Sequence, residues 1–419
     1  MRLRAVRFGP GAGAAEVRAI APAADEPAAE VADILADVRD RGDAAVRELS
    51  ARFDGTAPGE LRVPDQALDA ALESLDAGVR DGIEAAIANV RAAAEAQLRD
   101  PVSVELEDGQ QIEYVEVPVK RAAAYVPGGR APYPSTVVMC AVSARVAGVD
   151  ELAICAPPGP DGRPDDVILA ACALCGVREV YGMGGAQAIA ALAYGTDSVQ
   201  PVDVIVGPGN RYVQEAKRQL AAARVGIDGV AGPSELVAVA TRGADPELLA
   251  LDLLAQAEHG PDGLLALISP DTELLDATEQ VTVQLGEELT SVHEAPLALV
   301  HADGADAAVR LADELAPEHM ELVGEEAENL AGTVRCAGCL FVGVQAGVAF
   351  GDYVAGSNHV LPTGGAARFA SGLSPATFRR RMARVSLPGE AAARLAPAGA
   401  ALARAEGFPV HGESMERRA

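Results

Sequence analysis

From residue 125 onward the sequence alternates short apolar runs with amphipathic stretches separated by glycine- and proline-bearing turns, and this constrains the fold more than any other feature. Leu152-Ala153-Ile154-Cys155-Ala156 reads as a strand, 165–175 as a helix, Glu179-Val180-Tyr181 as a strand and 186–194 as a helix. Val202 to Val206 follows as a strand and 211–225 as a helix. A second series predicts strands at 236–240, 264–268 and 297–300, with helices at 246–259, 271–289 and 305–316. Consecutive parallel strands need crossover helices of this kind, so the pattern implies an α/β protein with mainly parallel, doubly wound sheets. A single hydrophobic core stops growing at roughly 250–300 residues. The chain has 419, so two α/β lobes are expected.

The flanks read differently. Residues 31–53 and 64–98 carry apolar positions at helical spacing, and Asp108-Gly109 between alternating runs predicts a hairpin. The tail from Pro375 reads as helical and rich in Ala and Arg. The expected division is a helical N-terminal extension at 1–24, one lobe from 25–124 with 233–374, a second from 125–232, and a small helical tail domain at 375–419.

Charge narrows the partners. With 34 Lys and Arg against 61 Asp and Glu, the net charge is −27, and no basic stripe offsets it. A nucleic acid bound through its phosphates is therefore not expected. No apolar run approaches the roughly 20 residues of a membrane helix, and the basic start has no apolar stretch after it, so no membrane partner and a cytoplasmic location are expected. The six cysteines include two CxxC pairs, Cys172/Cys175 and Cys336/Cys339. The first lies in a helix-like apolar run and the second flanks the strand-like Leu340-Phe341-Val342, so packed, reduced thiols are expected rather than a thiolate zinc site.

Three Gly-rich turns fall where strands of one parallel sheet would end: Tyr125-Val126-Pro127-Gly128-Gly129, Gly182-Met183-Gly184-Gly185-Ala186-Gln187 and Gly207-Pro208-Gly209-Asn210. Ligands of such sheets bind at that edge, where glycines let a pyrophosphate approach main-chain N–H groups. The second turn begins G-x-G but holds Gln187 where a dinucleotide fingerprint has glycine. Nucleotide binding and simple tight turning both remain open at this point.

The histidines carry the chemistry. Gln256-Ala257-Glu258-His259-Gly260-Pro261-Asp262 ends an amphipathic helix with Gln256 and His259 on one face. Ala316-Pro317-Glu318-His319 sets a carboxylate beside an imidazole that titrates near neutrality. Gly351-Asp352 through His359 is a polar, Gly-rich loop, which makes Asp352 and His359 candidate metal ligands. His293 and His301 read as structural. The constellation points to a mononuclear site with N/O ligands and a nearby Glu–His pair, and leaves oxidoreductase, metal-dependent hydrolase and lyase open.

These strings, together with Gly232-Pro-Ser-Glu and Asn358-His-Val-Leu-Pro-Thr-Gly-Gly, resemble the histidinol dehydrogenase family from about residue 25 to 411. The resemblance implies two Rossmann-like lobes and NAD-dependent, four-electron oxidation of L-histidinol to L-histidine through L-histidinaldehyde, with two NAD+ per turnover. It implies one Zn2+ per subunit on Gln256, His259, Asp352 and His411, the last supplied across a homodimer, so that the tail domain reaches the partner. His359 is not among the ligands it implies. Glu318 and His319 match the catalytic pair, with His319 as general acid/base and Glu318 activating water. Ser234, Gln256, His259, His319, Asp352, Glu406 and His411 match substrate contacts, and Tyr125, Gln187 and Asn210 match NAD contacts. The chain departs from the family where Val344 to Phe350 replaces a Thr-Pro-Glu-like segment, and where Phe408-Pro409-Val410 precedes His411. A related zinc and NAD dehydrogenase acting on another small polar alcohol is the alternative. No cysteine stands beside a base in the sequence, which disfavours a thiohemiacetal route.

Overall fold

A computed structural model describes residues 3–22, 27–56, 58–128, 131–221 and 223–419. The chain opens with strand β1 (Leu3–Phe8) and helix α1 (Ala14–Arg18). Four helices follow: α2 (Ala28–Arg41), α3 (Asp43–Phe53), α4 (Asp65–Ser74) and α5 (Ala77–Glu95). A hairpin of β2 (Val102–Glu105) and β3 (Gln111–Pro118) leads into the first alternating series. That series is β4 (Arg121–Tyr125), α6 (Pro134–Ala147), β5 (Glu151–Ala156), α7 (Asp166–Leu174), β6 (Glu179–Gly182), α8 (Gly185–Tyr194), β7 (Val204–Val206), α9 (Arg211–Leu220) and β8 (Gly226–Ile227).

The second series is β9 (Glu235–Ala240), α10 (Pro246–Ala257), β10 (Leu264–Ser269), α11 (Thr272–Glu288), β11 (Ala295–His301), α12 (Ala305–Leu315), β12 (His319–Val323), α13 (Glu325–Glu328), β13 (Cys339–Val342) and α14 (Val348–Tyr353). The tail holds β14 (Arg379–Ser386), α15 (Gly389–Ala405) and α16 (Pro409–Glu416). Side-chain caps start several helices: Asp76 on α5, Asp165 on α7, Asn210 on α9, Asp245 on α10 and Asp271 on α11 accept main-chain N–H bonds that would otherwise go unmet.

The two series fold into two parallel sheets of the same winding. The five-stranded sheet runs β6-β5-β4-β7-β8, and the six-stranded sheet runs β1-β11-β10-β9-β12-β13. Counted from β4 or from β9, the order reverses between the first and fourth strands, at β4/β7 and at β9/β12, and such switch points leave crevices for ligands. Each sheet is apolar on both faces. Ala122, Ile154 and Val206 pack toward α6 and α7, while Ala123, Ala153 and Ile205 pack toward α8 and α9. In the other sheet Leu236 and Ala238 pack toward α10, while Val237 and Met320 pack toward α12.

The domain boundaries expected from sequence need correction. The described part of 1–24 is not a helical appendage, because β1 pairs in parallel with β11 and completes the edge of the six-stranded sheet. Helices α2, α4 and α5 cover the five-stranded sheet through α8, α7 and α6, so residues 28–95 belong with the 125–232 lobe rather than with 233–374. The tail is not purely helical either. Its β14 pairs antiparallel with β3, placing Met382 opposite Val115 in a three-stranded sheet with β2. The run Arg379-Arg380-Arg381-Met382-Ala383-Arg384-Val385 has no apolar alternation, so pairing with β3 rather than a sequence period makes it a strand. β12, not expected from the sequence, begins two residues after Pro317, with Glu318 just before it and His319 as its first residue. Gly129 of the first Gly-rich turn lies outside the described residues.

Candidate active site

The candidate chemistry collects at the amino edge of the six-stranded sheet. Ser234 immediately precedes β9, Glu318 immediately precedes β12 and His319 is its first residue. Gln256 and His259 sit at the carboxyl end of α10, since crossover helices run back against the strands. Helix carboxyl ends carry a partial negative charge, so this edge favours a cation. Ala316, in the left-handed conformation at φ 46°, turns the chain out of α12 toward the pair, a geometry that costs a residue with a Cβ of order 1–2 kcal/mol. Gly338 lies against the Glu318 carbonyl so closely that a Cβ there would come within 2.5 Å of it. Only glycine admits that approach.

The pair is buried, with Glu318 7 % and His319 2 % exposed. Glu318 Oε2 accepts from Ser234 Oγ at 2.5 Å and from the Glu235 main-chain N–H at 2.9 Å. Ser234 in turn accepts from Gln256 Nε2. His319 Nδ1 donates to the Glu235 carbonyl at 3.1 Å, and its Nε2 stands 3.6 Å from Asp352 Oδ1. The other Asp352 oxygen is 4.0 Å from His259 Nε2. Phe341 closes the side of the imidazole, ring centroids 6.0 Å apart.

Burial pushes the Glu318 carboxyl up, against the pull of His319, Ser234 and the Glu235 N–H. Burial alone would lower His319, but the Glu318 and Asp352 carboxylates outweigh it and raise the imidazole to about 9. Burial also works to raise Asp352, and the hydrogen bond and charge of His319 overcome it, holding that carboxylate below its usual range.

These residues fit a zinc ion by their chemistry. Imidazole, carboxylate and amide oxygen form an N/O donor set suited to the metal. The Gln256 amide gives its N–H end to Ser234, which leaves its carbonyl oxygen, the end a cation takes, as the available donor. Among the described residues no three His, Cys, Asp or Glu side chains are close enough to hold a metal by themselves. His259 and Asp352 with Gln256 thus form a partial shell.

His359 takes another part. Its Nδ1 donates to the Asp352 carbonyl at 2.7 Å and its Nε2 meets Thr136 Oγ1 of α6 at 3.1 Å, so both ring nitrogens are engaged and the residue links the two lobes instead of ligating. Asn358 reinforces the link through the Met139 carbonyl and Ser143 Oγ, each at 3.1 Å. Glu406 and His411 lie exposed on the tail, where His411 packs edge-on against Phe408 and Arg394 ties α15 to Asp108 of the hairpin. One chain therefore brings together Ser234, Gln256, His259, Glu318, His319 and Asp352, and keeps Glu406 and His411 on its tail. The half-buried Asp252 and the buried Glu321 beneath the site were missed in sequence. The signal was present, since Glu321 is two residues past His319 on a strand and Asp252 four before Gln256 on a helix.

The Gly-rich turns meet at the carboxyl edge of the five-stranded sheet, where helix amino ends gather. Tyr125 is buried and its hydroxyl accepts from the Gly185 N–H at 3.2 Å. Gln187 is buried beside Asp54, and Asn210 caps α9 by accepting from Tyr212 and Val213 N–H. Gly207, at φ 105°, lies where a Cβ would fall 2.1 Å from the Tyr125 carbonyl. Buried Lys217 fixes that turn, donating to the Gly207 carbonyl at 2.9 Å and pairing with Asp228, which accepts from the Gly207 N–H at 2.7 Å. The thiols of Cys140, Cys155 and Cys172 are pushed up by burial, as packed apolar groups are, and all six cysteines are free. No helix among the described residues is long and apolar enough to cross a membrane.

Comparison with known proteins gives the family. A model of the histidinol dehydrogenase family matches residues 20–419. Histidinol dehydrogenase of Mycobacterium tuberculosis is 44% identical over 420 residues, covering 97% of this chain and 93% of its own, and that of Parasynechococcus marenigrum is 44% identical over 391, covering 92% and 89%. The crystal structure of histidinol dehydrogenase from Elizabethkingia anophelis superposes with a TM-score of 0.91 at 29% identity, covering 98% of this chain and 97% of that one. With this match across almost its whole length, the chain belongs to the histidinol dehydrogenase family.

Proposed function

We propose that this chain oxidises L-histidinol to L-histidine through L-histidinaldehyde, passing one hydride to each of two NAD+ molecules. The observation that carries the reading is the buried Glu318–His319 pair, whose imidazole has Nδ1 engaged by a main-chain carbonyl and Nε2 turned toward Asp352. A proton acceptor held in one orientation is what alcohol oxidation needs, because the hydroxyl proton must leave as the hydride does. Zinc, held by Gln256, His259 and Asp352 with His411 of a second copy, would supply a Lewis-acid anchor for the substrate's imidazole and amine and no redox chemistry of its own.

His319 takes the carbinol proton in the first oxidation. In the second, Glu318 takes a proton from the water that adds to the aldehyde carbon, and His319 accepts the hydroxyl proton of the hydrate as the second hydride departs. The net change is alcohol plus water and two NAD+ to carboxylate, two NADH and three protons. Ser234 holds Glu318 in place, and Glu406 of a second copy contacts the substrate. Tyr125, Gln187 and Asn210 shape the NAD+ site at the carboxyl edge of the five-stranded sheet, which the His359 bridge ties to the Asp352 loop.

A homodimer is supported by exposed apolar side chains on the small sheet and tail, including Val102, Met382, Val385, Leu402 and Val410. The test is stoichiometric: two NADH per histidinol, lost with a zinc chelator and restored by Zn2+. One NADH per turnover, or faster reduction with another amino alcohol, would assign a related dehydrogenase instead.

A further inference from the structure

Glu321 is 2 % exposed and its Oε2 has no hydrogen-bond partner, a rare state for a carboxyl oxygen. On β12 it shares a face with His319, two residues earlier. That face packs on α10, and there the Glu321 carboxyl meets that of Asp252, one turn before Gln256 on the same helical stripe. The Asp252 carboxylate also lies beside the Val348 main-chain N–H at the start of α14, with Oδ1 3.1 Å from the position a Cβ on Gly347 would take. Asp352 follows in that same short helix. Two carboxyls thus join three elements, each carrying part of the site: α10 with Gln256 and His259, β12 with His319, and α14 with Asp352.

Two carboxylates cannot both stay charged side by side in an apolar setting. Among the described residues no cation relieves them: β9 presents Leu236, Ala238 and Ala240 on this face, and β13 presents Cys339 and Phe341. Of the other titratable groups on these elements, His319 pairs with Asp352, the Cys339 thiol is pushed up by burial, Glu235 pairs with Arg18 on the opposite face of the sheet, and Glu247 and Tyr353 are exposed. Asp252 has the Val348 N–H to support a negative charge, whereas Glu321 has no donor. The single proton therefore belongs on Glu321, whose carboxyl is displaced upward by burial and by the Asp252 charge.

We infer that Glu321 and Asp252 share one proton and act as a positioning pair, with Glu321 donating to Asp252 and Asp252 holding the first turn of α14 so that Asp352 faces His319 and His259. The inference rests on the reading of Asp352 as a site residue.

The experiment uses the full-length, zinc-loaded enzyme with Glu321→Gln, Glu321→Leu and Asp352→Asn. In the infrared near pH 8, the wild type should show the C=O stretch of a protonated buried carboxyl, absent in Glu321→Gln; no such band in the wild type overturns proton sharing. Glu321→Gln, whose amide gives Asp252 the same hydrogen bond without an ionisable proton, should keep kcat/KM within about twofold and lack the wild type's alkaline loss from this ionisation. Glu321→Leu should lose roughly tenfold or more in kcat/KM, since small misplacements at a reacting centre are expensive. Equal activity of the Gln and Leu variants across the pH range overturns the positioning role, and if Leu fails to fold, an alkaline limb shared by wild type and Gln does the same. Full activity of Asp352→Asn with the infrared band present removes Asp352 from the site and leaves the proton-sharing pair standing.

Discussion

His319 gives its Nδ1–H to the main-chain carbonyl of Glu235 at 3.1 Å, and this one bond decides which nitrogen can act as a base. A carbonyl only accepts, so Nδ1 keeps its proton, and when the imidazolium that the two carboxylates favour gives one up, the lone pair of the neutral ring falls on Nε2, the atom that faces Asp352. Glu235 is the first residue of β9 and His319 the first of β12, and the two strands run in parallel register, so the sheet itself sets the tautomer.

Replacing His319 with Gln should therefore lower kcat by about 10²–10⁴-fold while leaving the KM for histidinol within a few-fold, because proton acceptance is lost and most binding contacts remain. Glu318→Gln should separate the two half-reactions. Oxidation of supplied histidinaldehyde should collapse while oxidation of histidinol to the aldehyde persists. The reverse result, with aldehyde oxidation unharmed and alcohol oxidation lost, would reassign Glu318. Steady-state NADH formation with each substrate checks both.

Mixing subunits tests the shared site. Assayed by L-histidine formation, which needs both oxidations, Glu318→Gln and His411→Asn should each be nearly inactive alone. After subunits exchange, a mixed dimer has one site with its own Glu318 and an intact His411 from across the interface. Random exchange of equal amounts should restore about a quarter of wild-type activity, since half of the dimers are mixed and each holds one good site of two. If His411 serves its own chain, no mixed dimer regains more than each parent already had.

Period and punctuation made most of the fold legible. The strands at 152–156, 236–240 and 264–268 and the helices between them fall where apolar runs and Gly turns put them, because buried parallel strands and their crossovers impose those periods on the sequence. β1 was not legible, since Leu3-Arg4-Ala5-Val6-Arg7-Phe8 becomes a strand only by pairing with β11, almost three hundred residues away. Helices α2 to α5 show their amphipathic faces in sequence, but not which sheet those faces cover. The site divides the same way. Gln256, His259, Glu318, His319 and Asp352 stand in strings unusual enough to be picked out singly, yet which edge of the sheet they share depends on strand direction. His359 drew attention for the right loop and the wrong reason, because a ring between a carbonyl and a hydroxyl looks in sequence like any metal ligand.

Lys217 offers a test of the turn that precedes Asn210. Its ammonium is 1 % exposed and pairs with Asp228, 7 % exposed, while both bond the two sides of Gly207. Lys217→Met leaves a buried carboxylate without its cation, which costs about 3–5 kcal/mol. Thermal unfolding should move down by several degrees. Adding Asp228→Asn should recover a substantial part, because the coupling between contacting charges is lost in the double variant. The KM for NAD+ should rise in the single variant with kcat less affected, since the turn is displaced and the Glu318–His319 pair is untouched.

Asp54 makes a pH-dependent prediction of opposite sign. It is the C-cap of α3, where a negative charge meets the negative end of the helix, and burial beside Gln187 pushes its carboxyl up to about 6. A carboxyl raised in the folded state binds its proton more tightly there than in the unfolded chain. Its stabilising effect is present below the ordinary value of 3.8 and is lost as pH climbs through that value to about 6. Above that range the ionised carboxylate is a net liability of about 1 kcal/mol, after allowance for the partial exposure of the group. Asp54→Asn removes the ionisation and keeps the shape. The variant should melt at a higher temperature than the wild type at pH 8, by a few degrees at most, and the gain should shrink to nothing as the pH falls toward 4. Paired thermal scans from pH 4 to 8 measure the difference directly. A gain that is constant with pH, or larger in acid, would mean that Asp54 is held by a cation or hydrogen bonds that outweigh its burial, and that the carboxylate is already charged throughout the folded state.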